Sequence, residues 1–459
     1  MSDRGQIVDE KVARLRAAIS LEPHDQVPVA SMADFWPVRY TQNTMQEAYY
    51  SIDVGAEAYK KAFARWDSWD AFNPLIQSVG PLLDATGSRR YNVPGRDISP
   101  QAEFQHPDFS LMTADEYPEF TADPLRFHAE KLLPRMCTRI GSDDATISTT
   151  AWVKAAFFFA QYAVEARAYA RLWSTEYAIP PLFKGQSLYV PMDWIADKIR
   201  GFHQGLLDVK ERPRELIEAC EALVPFILGA CLHGVKPGDF PLIFNPQHVS
   251  PFLSPRDYQK VYWPTYKKMV DDVVGRGFKV WSLFESNQEQ HLEHLQDLPK
   301  GKVVAHFEST DLAKAKKALG GRLCIAGGMP AVLLTRGTPQ EVREHTISVL
   351  KLFEDEPGFI MTCATTMPST TRPENLTAWL DTVKECGRLG GVPSASFKSE
   401  SEAAPTDTSS AAPAGQDVIR SWDTVKAEFG EIKGDEGILK ENWENLERLS
   451  LTFLYWMLR

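Results

Sequence analysis

Side chains that can bind a metal or move a proton follow two neighbouring apolar segments in the middle of the chain. Glu285 comes directly after FKVWSLF, while His306 and Glu308 lie at the end of KVVAHFE. Imidazole and carboxylate groups act as metal ligands and as general acids or bases. In parallel α/β folds such groups gather at the carboxyl ends of strands, because the loops there converge on one face. We therefore expect Glu285, His306 and Glu308 to share one site.

Two further candidates follow other strand-like segments. His248 comes after FPLIFNPQ, and Asp34 comes after VPVASMA. A lone loop histidine is more often an ordinary surface residue, and an aspartate in this position is equally suited to a turn or a helix cap. Their location after strands nevertheless makes both candidates. The predicted catalytic set is Glu285, Glu308, His248 and Asp34.

The segments that carry these residues predict an α/β fold. Residues 278–328 alternate short runs rich in Val, Ile and Phe with amphipathic stretches, in the order strand, helix, strand, helix, strand. Such runs are typical of buried parallel strands joined by crossover helices. Residues 8–22 and 150–176 predict helices earlier in the chain. Two readings of the acidic and histidine side chains stay open, a metal site or a hydrogen-bonded group without metal.

Composition excludes several classes of protein. The chain has 459 residues and a net charge of −11, and no basic run offsets this charge, so a general nucleic-acid binder is not expected. The six cysteines are scattered without a CxxC pair, which favours a reduced, cytoplasmic protein. No apolar stretch reaches the length of a membrane helix, and the N-terminal residues do not resemble a signal peptide.

A change in composition divides the chain into three parts. Residues 1–392 predict the α/β domain. Residues 393–416 are rich in Ser, Ala and Pro and predict a flexible linker, because they contain too few apolar groups to offset the entropy of ordering. Residues 417–459 predict an amphipathic helical tail. Its apolar end is expected to dock on the first domain or on another subunit.

Four sequence segments resemble the uroporphyrinogen decarboxylase superfamily. They are VARLRAAISLEPHDQVP, DVKERPRELIEACEALVPF, IAGGMPAVLLTRGTPQEVREHT and TTRPENLTAWLDTVKECG. The combination of GTPQEV and PENL at this distance is the more specific part. The resemblance covers roughly residues 8–392. It implies a (β/α)8 TIM-type barrel, with N-terminal helices, a helical C-terminal tail and a site at the carboxyl face of the barrel.

The resemblance is closer to the cobalamin-dependent methyltransferase branch than to the true decarboxylases. The arginine-rich loop that grips propionates in the decarboxylases is replaced by ASMADFWPVRY, which holds only Arg39. The Gly-His-Gly element before PENL is replaced by CATTMPSTTR. In the methyltransferase branch zinc is bound by a His-x-Cys pair and a later Cys. Glu285 stands at the Cys position of that pair, and Cys363 lies two residues before the later one.

The resemblance thus implies a zinc site made by Glu285, His306 and Cys363, with Glu308 as a fourth ligand or as the partner that orients His306. The function it implies is corrinoid-linked, zinc-assisted methyl transfer or demethylation of a small methylated substrate. A separate corrinoid protein would supply the cobalamin, and a homodimer is a further expected arrangement. Three alternatives stay open: metal-free acid–base chemistry by Glu285 or Glu308, cofactor-free decarboxylation of a tetrapyrrole, and a non-catalytic ligand-binding barrel.

Overall fold

The computed structural model of the chain describes residues 3–75, 78–389, 414–415 and 418–458. The predicted linker at 393–416 therefore lies outside the described residues, apart from 414–415. Seven strands are present in these parts of the chain: β1 (Ala30–Ala33), β2 (Ala71–Pro74), β3 (Gly238–Gln247), β4 (Phe278–Phe284), β5 (Val303–Phe307), β6 (Cys324–Met329) and β7 (Phe359–Cys363).

Helices connect and surround the strands. The α-helices are α1 (Asp3–Ser20), α2 (Trp36–Tyr40), α3 (Met45–Tyr50), α4 (Ile52–Arg65), α5 (Gly80–Thr86), α6 (Tyr117–Ala122), α7 (Pro124–Phe127), α8 (Leu133–Met136), α9 (Ala145–Tyr177), α10 (Pro191–Trp194), α11 (Phe202–Glu211), α12 (Pro213–Leu232), α13 (Pro255–Asp257), α14 (Trp263–Gly275), α15 (Leu292–Leu295), α16 (Leu312–Leu319), α17 (Ala331–Arg336), α18 (Pro339–Leu352), α19 (Pro373–Cys386), α20 (Trp422–Phe429) and α21 (Glu436–Leu458). Short 3-10 or π turns occupy Ala114–Glu116, His128–Leu132, Ile195–Arg200, Ser250–Phe252, Tyr258–Tyr262 and Glu289–His291.

All the paired strands run parallel. Strands β3 to β7 form one five-stranded sheet in sequence order, and β1 pairs with β2. Isolated parallel bridges join β1 and its flanking residues to β7 and the residues after it, and residues 181–183 bridge to β2 on one side and to β3 on the other. Within each sheet, every strand neighbours the next one along the chain, as expected when helices make the crossovers. The predicted α/β fold with parallel strands is confirmed.

Alternate residues of the strands belong to two different apolar clusters. The inner cluster contains Trp281, Val304 and Ile360, together with Leu15 from α1. The outer cluster lies between strands and helices and contains the neighbouring strand positions, including Met361. Because side chains alternate along a strand, a shift of one position moves a residue from one cluster to the other. This alternation decides which candidates can share a site.

The C-terminal tail packs on the α/β part of the chain through α21. Leu451 and Tyr455 are fully buried. The ring of Tyr455 stacks on Trp194, with ring centroids 4.4 Å apart and planes 5° apart. Its hydroxyl donates a hydrogen bond of 2.5 Å to the carbonyl oxygen of Ser187. The tail therefore supports the segment that enters α10.

No helix within the described ranges is both long enough and apolar enough to cross a membrane.

Candidate active site

A histidine held between two carboxylates lies at the carboxyl ends of β3 and β4. His248 follows β3, and its Nδ1 atom lies 2.5 Å from Oδ2 of Asp197. Its Nε2 atom lies 3.3 Å from Oε1 of Glu285, which follows β4. The His248 side chain is 30% exposed, so solvent or a small ligand can reach the group. The structure therefore brings together two of the predicted catalytic residues, His248 and Glu285.

A second aspartate fixes the backbone that carries the histidine. Oδ1 of Asp193 accepts the main-chain N–H groups of His248 at 3.1 Å and Val249 at 2.7 Å. Its Oδ2 atom accepts the hydroxyl of Tyr262 at 2.6 Å. Asp193 lies in α10 and Asp197 four residues later in the π turn, so both face β3 from the same segment. Through these bonds the segment sets the position of the imidazole.

The carboxylates favour the charged form of His248. Burial of the ring opposes its positive charge, but the hydrogen bonds and charges of Asp197 and Glu285 outweigh burial and raise the pKa of His248 well above its ordinary value. Burial likewise opposes the negative charge of Asp197, but the hydrogen bond and charge of His248 outweigh it and lower the pKa of Asp197. We infer an imidazolium–carboxylate pair at neutral pH, which can donate a proton.

Asp193 has the opposite electrostatic behaviour. It is fully buried, and this burial raises its pKa to about 7 although His248 lies nearby. The two aspartates lie close together in the chain, but their surroundings raise the pKa of Asp193 and lower that of Asp197. Asp197 pairs with the charged histidine, and Asp193 acts mainly as a hydrogen-bonding anchor.

Glu308 supports the turn that presents Glu285. Its Oε2 atom accepts the main-chain N–H of Ser286 at 2.6 Å. Ser286 adopts a left-handed backbone conformation with φ of 56°, which a residue with a side chain rarely adopts without support. Glu308 therefore lies beside the predicted site, in the role of a positioning residue.

His306 is buried and has hydrogen-bond partners on both ring nitrogens. Nδ1 accepts the indole N–H of Trp281 at 3.1 Å, and Nε2 donates to the carbonyl oxygen of Cys363 at 2.8 Å. Burial lowers the pKa of His306 to about 4, so the ring is neutral. Both nitrogens are used to tie β4, β5 and β7 together, so neither is available to bind a metal.

The three predicted zinc ligands do not converge. Cys363 belongs to the outer apolar cluster, whereas Trp281, the partner of His306, belongs to the inner one. Burial raises the pKa of the Cys363 thiol to about 12, which disfavours the thiolate that zinc requires. The described part of the chain contains no group of three His, Cys, Asp or Glu side chains placed to hold a metal ion. The donor set Glu285, His306 and Cys363 therefore does not fit zinc.

Asp34 follows a different strand from the histidine. It follows β1, which is hydrogen-bonded to β2 and bridged to β7, while His248 follows β3. The main-chain carbonyl of Asp34 accepts the hydroxyl of Tyr59 at 3.1 Å. The place of Asp34 in the catalytic set stays a prediction.

Sequence reasoning missed Asp193 and Asp197. Both lie in MDWIAD, where the spacing of four residues was a usable signal for two carboxylates on one helical face. It also missed the cations beside them. A guanidinium N–H of Arg90 donates to the carbonyl oxygen of Asp197 at 3.0 Å, and the Lys198 ammonium lies 5.0 Å from the centre of the Tyr189 ring. The Tyr189 ring in turn contacts His248 edge-on, with centroids 6.3 Å apart.

Comparison with known proteins finds one matching family model. Residues 196–386 match the family model described as uroporphyrinogen decarboxylase (URO-D), and these residues include Asp197, His248 and Glu285. The predicted resemblance to this superfamily is confirmed. No curated protein matches the sequence.

Among solved structures, the fold is similar to that of a methyltransferase from Methanosarcina mazei. The TM-score is 0.53 and the sequences are 16% identical, and the match covers 81% of this chain and 97% of the other. At this level of identity the similarity is one of fold.

Proposed function

We propose that the chain is a methyltransferase or demethylase in which His248 protonates the atom that loses its methyl group. The observation that carries the proposal is that His248 contacts both Asp197 and Glu285 at the carboxyl ends of the strands. A histidine in this setting is a competent general acid, because its charged form is favoured and its ring is held in one orientation. The similarity of fold to a methyltransferase supports the reaction class.

We further propose that eight parallel segments form a (β/α)8 barrel around the inner cluster. These segments are β1, β2, residues 180–184, and β3 to β7. The bridges of residues 181–183 to β2 and β3, and of residues 29 and 33 to residues 361 and 367, support closure. In such barrels the reactive groups come from different strand ends on one face. His248 and Glu285 occupy such positions.

The geometry suggests distinct tasks for the two carboxylates. Asp197 is tightly bonded to Nδ1 of His248 and orients the ring. Glu285 is at the longer distance of 3.3 Å from Nε2, so a substrate atom can insert beside it. As the bond between methyl carbon and oxygen breaks, the methyl group passes to the acceptor and Nε2–H of His248 protonates the departing oxygen. After the product leaves, the neutral ring takes up a proton from solvent, which reaches the His248 side chain because it is 30% exposed.

A corrinoid on a partner protein is the proposed methyl acceptor. When bound, it would supply a strong nucleophile for the methyl carbon. The residues of this chain orient the substrate and supply the proton, and no step is assigned to zinc because the predicted ligands do not fit it.

All six cysteines are free thiols, which supports the proposed cytoplasmic location.

Free cob(I)alamin is a direct probe of this function. Purified protein would be mixed with cob(I)alamin and with methylated oxygen, nitrogen and sulfur compounds, and methylcobalamin formation followed by absorbance. We expect transfer from at least one class, and a fall of about 100-fold or more in His248→Gln. His203→Gln, which changes an exposed histidine, is the matched control. Equal rates in His248→Gln and wild type would contradict the assignment.

Decarboxylation is the second candidate function. The description of the matching family and the location of Arg90 beside Asp197 favour an anionic substrate. Consumption of uroporphyrinogen without any methyl transfer would replace the first proposal by this one. Tight binding of a small ligand with neither reaction would instead identify a binding protein.

A further inference from the structure

Helix α9 is the longest helix of the described chain and lies on its surface. It has 33 residues, and its fully buried positions are Ala151, Ala155 and Trp173. These three residues face the same side of the helix, because they are separated by one turn and by five turns. A helix of this length spans about 50 Å. Its opposite side is therefore available over most of its length.

That opposite side carries an apolar stripe with heptad spacing. Phe157 is 74% exposed, Val164 is 67% exposed and Val153 is 48% exposed. Steps of three and four residues are the pattern of a helix that packs against another helix. The stripe consists of exposed residues only: Thr150, Val153, Phe157, Ala160, Val164, Arg167 and Arg171.

The apolar residues of the stripe are placed symmetrically along the helix about one point. Val153 and Val164 lie equally far from the midpoint between Phe158 and Phe159, and so do Phe157 and Ala160. An antiparallel second copy therefore places Val153 against Val164, and the large Phe157 against the small Ala160. A large side chain opposite a small one fills the space between two helices.

We propose that α9 is a self-association surface on which a second copy of this chain packs antiparallel across a two-fold axis near Phe158. A two-fold interface requires a self-complementary patch, and this stripe has that property. The proposal does not depend on the reaction that the chain catalyses. It adds an interaction surface outside residues 196–386, the part that matches the family model.

The charges beside the stripe fit the same register. Lys154 and Glu165 lie on the same flank of α9, one near each end of the apolar part. A two-fold axis perpendicular to the helices keeps this flank on one side, so Lys154 of one copy approaches Glu165 of the other twice. Such flanking pairs set orientation and register in helix pairs.

Within the described residues, the stripe on α9 stays exposed. Helix α21 contacts α9 through Trp456 and Phe453, which reach Phe159 at centroid distances of 5.1 and 5.4 Å. Phe159 faces the body side of α9, away from the stripe. Residues 393–416 contain a single large apolar residue, Phe397, and so offer little to cover it.

Sedimentation velocity of the full chain tests the proposal. We expect wild type to form dimers at micromolar concentration. Phe157→Asp and Val164→Glu should each raise the dimer dissociation constant by more than about 100-fold, because each change occurs twice in a two-fold interface. Val332→Glu is the matched control, since Val332 is 58% exposed on α17. Circular dichroism would confirm that the variants fold.

A charge exchange tests the register. Lys154→Glu alone should weaken the dimer by placing two carboxylates together, and Lys154→Glu with Glu165→Lys should restore it. Monomeric wild type at tens of micromolar, or a dimer that both stripe variants leave intact, would overturn the proposal. Monomers that sediment with phosphatidylcholine vesicles would overturn it in favour of a lipid surface.

Discussion

The charge of His248 is determined by its two carboxylate neighbours. An isolated buried imidazole loses its proton readily, as His306 does, whose pKa burial lowers to about 4. His248 behaves in the opposite way because Asp197 and Glu285 face its two nitrogens. His306 is therefore neutral, whereas the charged form of His248 is favoured. The difference lies in the partners, which are acids for one ring and an indole and a carbonyl for the other.

The rate of the proposed reaction should depend on pH through His248. The imidazolium is the reactive form and its pKa is raised, so kcat should hold through neutral pH and fall as pH rises through that pKa. The measurement is kcat for methyl transfer to cob(I)alamin between pH 5 and about 10. A profile that rises with pH across this range would contradict a general-acid role.

The unfolding free energy should also depend on pH through His248. A raised histidine pKa stabilises the folded chain fully below the unfolded value of about 6.5, and this contribution is lost as pH rises through the folded value. Urea unfolding of wild type and His248→Gln should therefore differ most near pH 6 and least at alkaline pH. The lowered pKa of Asp197 works the other way, since its contribution is lost only in acid. A stability difference that grows with pH would refute this account.

How much of the site the sequence could reveal depends on the type of signal. His248 and Glu285 were predictable because each follows an apolar strand. The partner Asp197 offers only the weaker signal of its four-residue spacing from Asp193, because it lies in an irregular turn whose location depends on tertiary packing. The predicted zinc ligands do not fit a metal because of strand alternation, since Cys363 and His306 belong to different sides of the sheet.

At the scale of elements, β4, β5 and β7 are joined by a polar contact inside an apolar cluster. The Trp281 indole, the His306 ring and the Cys363 carbonyl form a continuous hydrogen-bonded series across these strands. A buried series of this kind fixes neighbouring strands relative to each other, because breaking it leaves unpaired polar groups. Glu308, two residues beyond His306, then supports the turn of Glu285. The conformation of that turn follows from the position of β5.

His306→Ala should destabilise the fold by about 2–4 kcal/mol, through the cavity and the two unpaired partners. Urea unfolding measures this loss, and metal content measured on the same samples separates a structural role from a ligand role. His345→Ala is a control, because Nε2 of that half-buried ring donates a hydrogen bond to the carbonyl oxygen of Gly328. Loss of one bound zinc per chain in His306→Ala, at unchanged stability, would restore the metal hypothesis.

The strands of the central stretch were largely predictable, and the weaker elements were not. Apolar runs identified β4, β5 and β6, and the amphipathic DLAKAKKALG identified α16. The segment after β4 was expected to be one helix, but it forms a 3-10 turn and one short helical turn. Residues 180–184 were not recognised because Pro180 and Pro181 lack the N–H groups that a strand donates. Their pairing consists of isolated bridges.

At the scale of the whole molecule, the tail and the candidate site are linked. Tyr455 of α21 stacks on Trp194, which lies between Asp193 and Asp197 in sequence. The tail therefore packs behind the turn that holds both aspartates. Its hydroxyl bond to Ser187 adds a second attachment to the same segment.

Tyr455→Ala should lower the unfolding free energy by about 3–5 kcal/mol and reduce turnover, because the aspartate turn loses its support. Tyr455→Phe keeps the stacked ring and should lose only about 1 kcal/mol. Thermal unfolding and kcat would be measured together. Unchanged turnover in a folded Tyr455→Ala protein would show that the tail and the site are independent.

The distance in sequence between Ser187 and Tyr455 also has a consequence for synthesis. The two residues are 268 positions apart, and a ribosome adds roughly 5–20 residues per second. Trp194 and the turn around it therefore leave the ribosome roughly 13–54 seconds before the helix that covers them. During that interval the nascent chain exposes an aromatic surface to chaperones and to neighbouring chains, and the aspartates that hold His248 lack their final support.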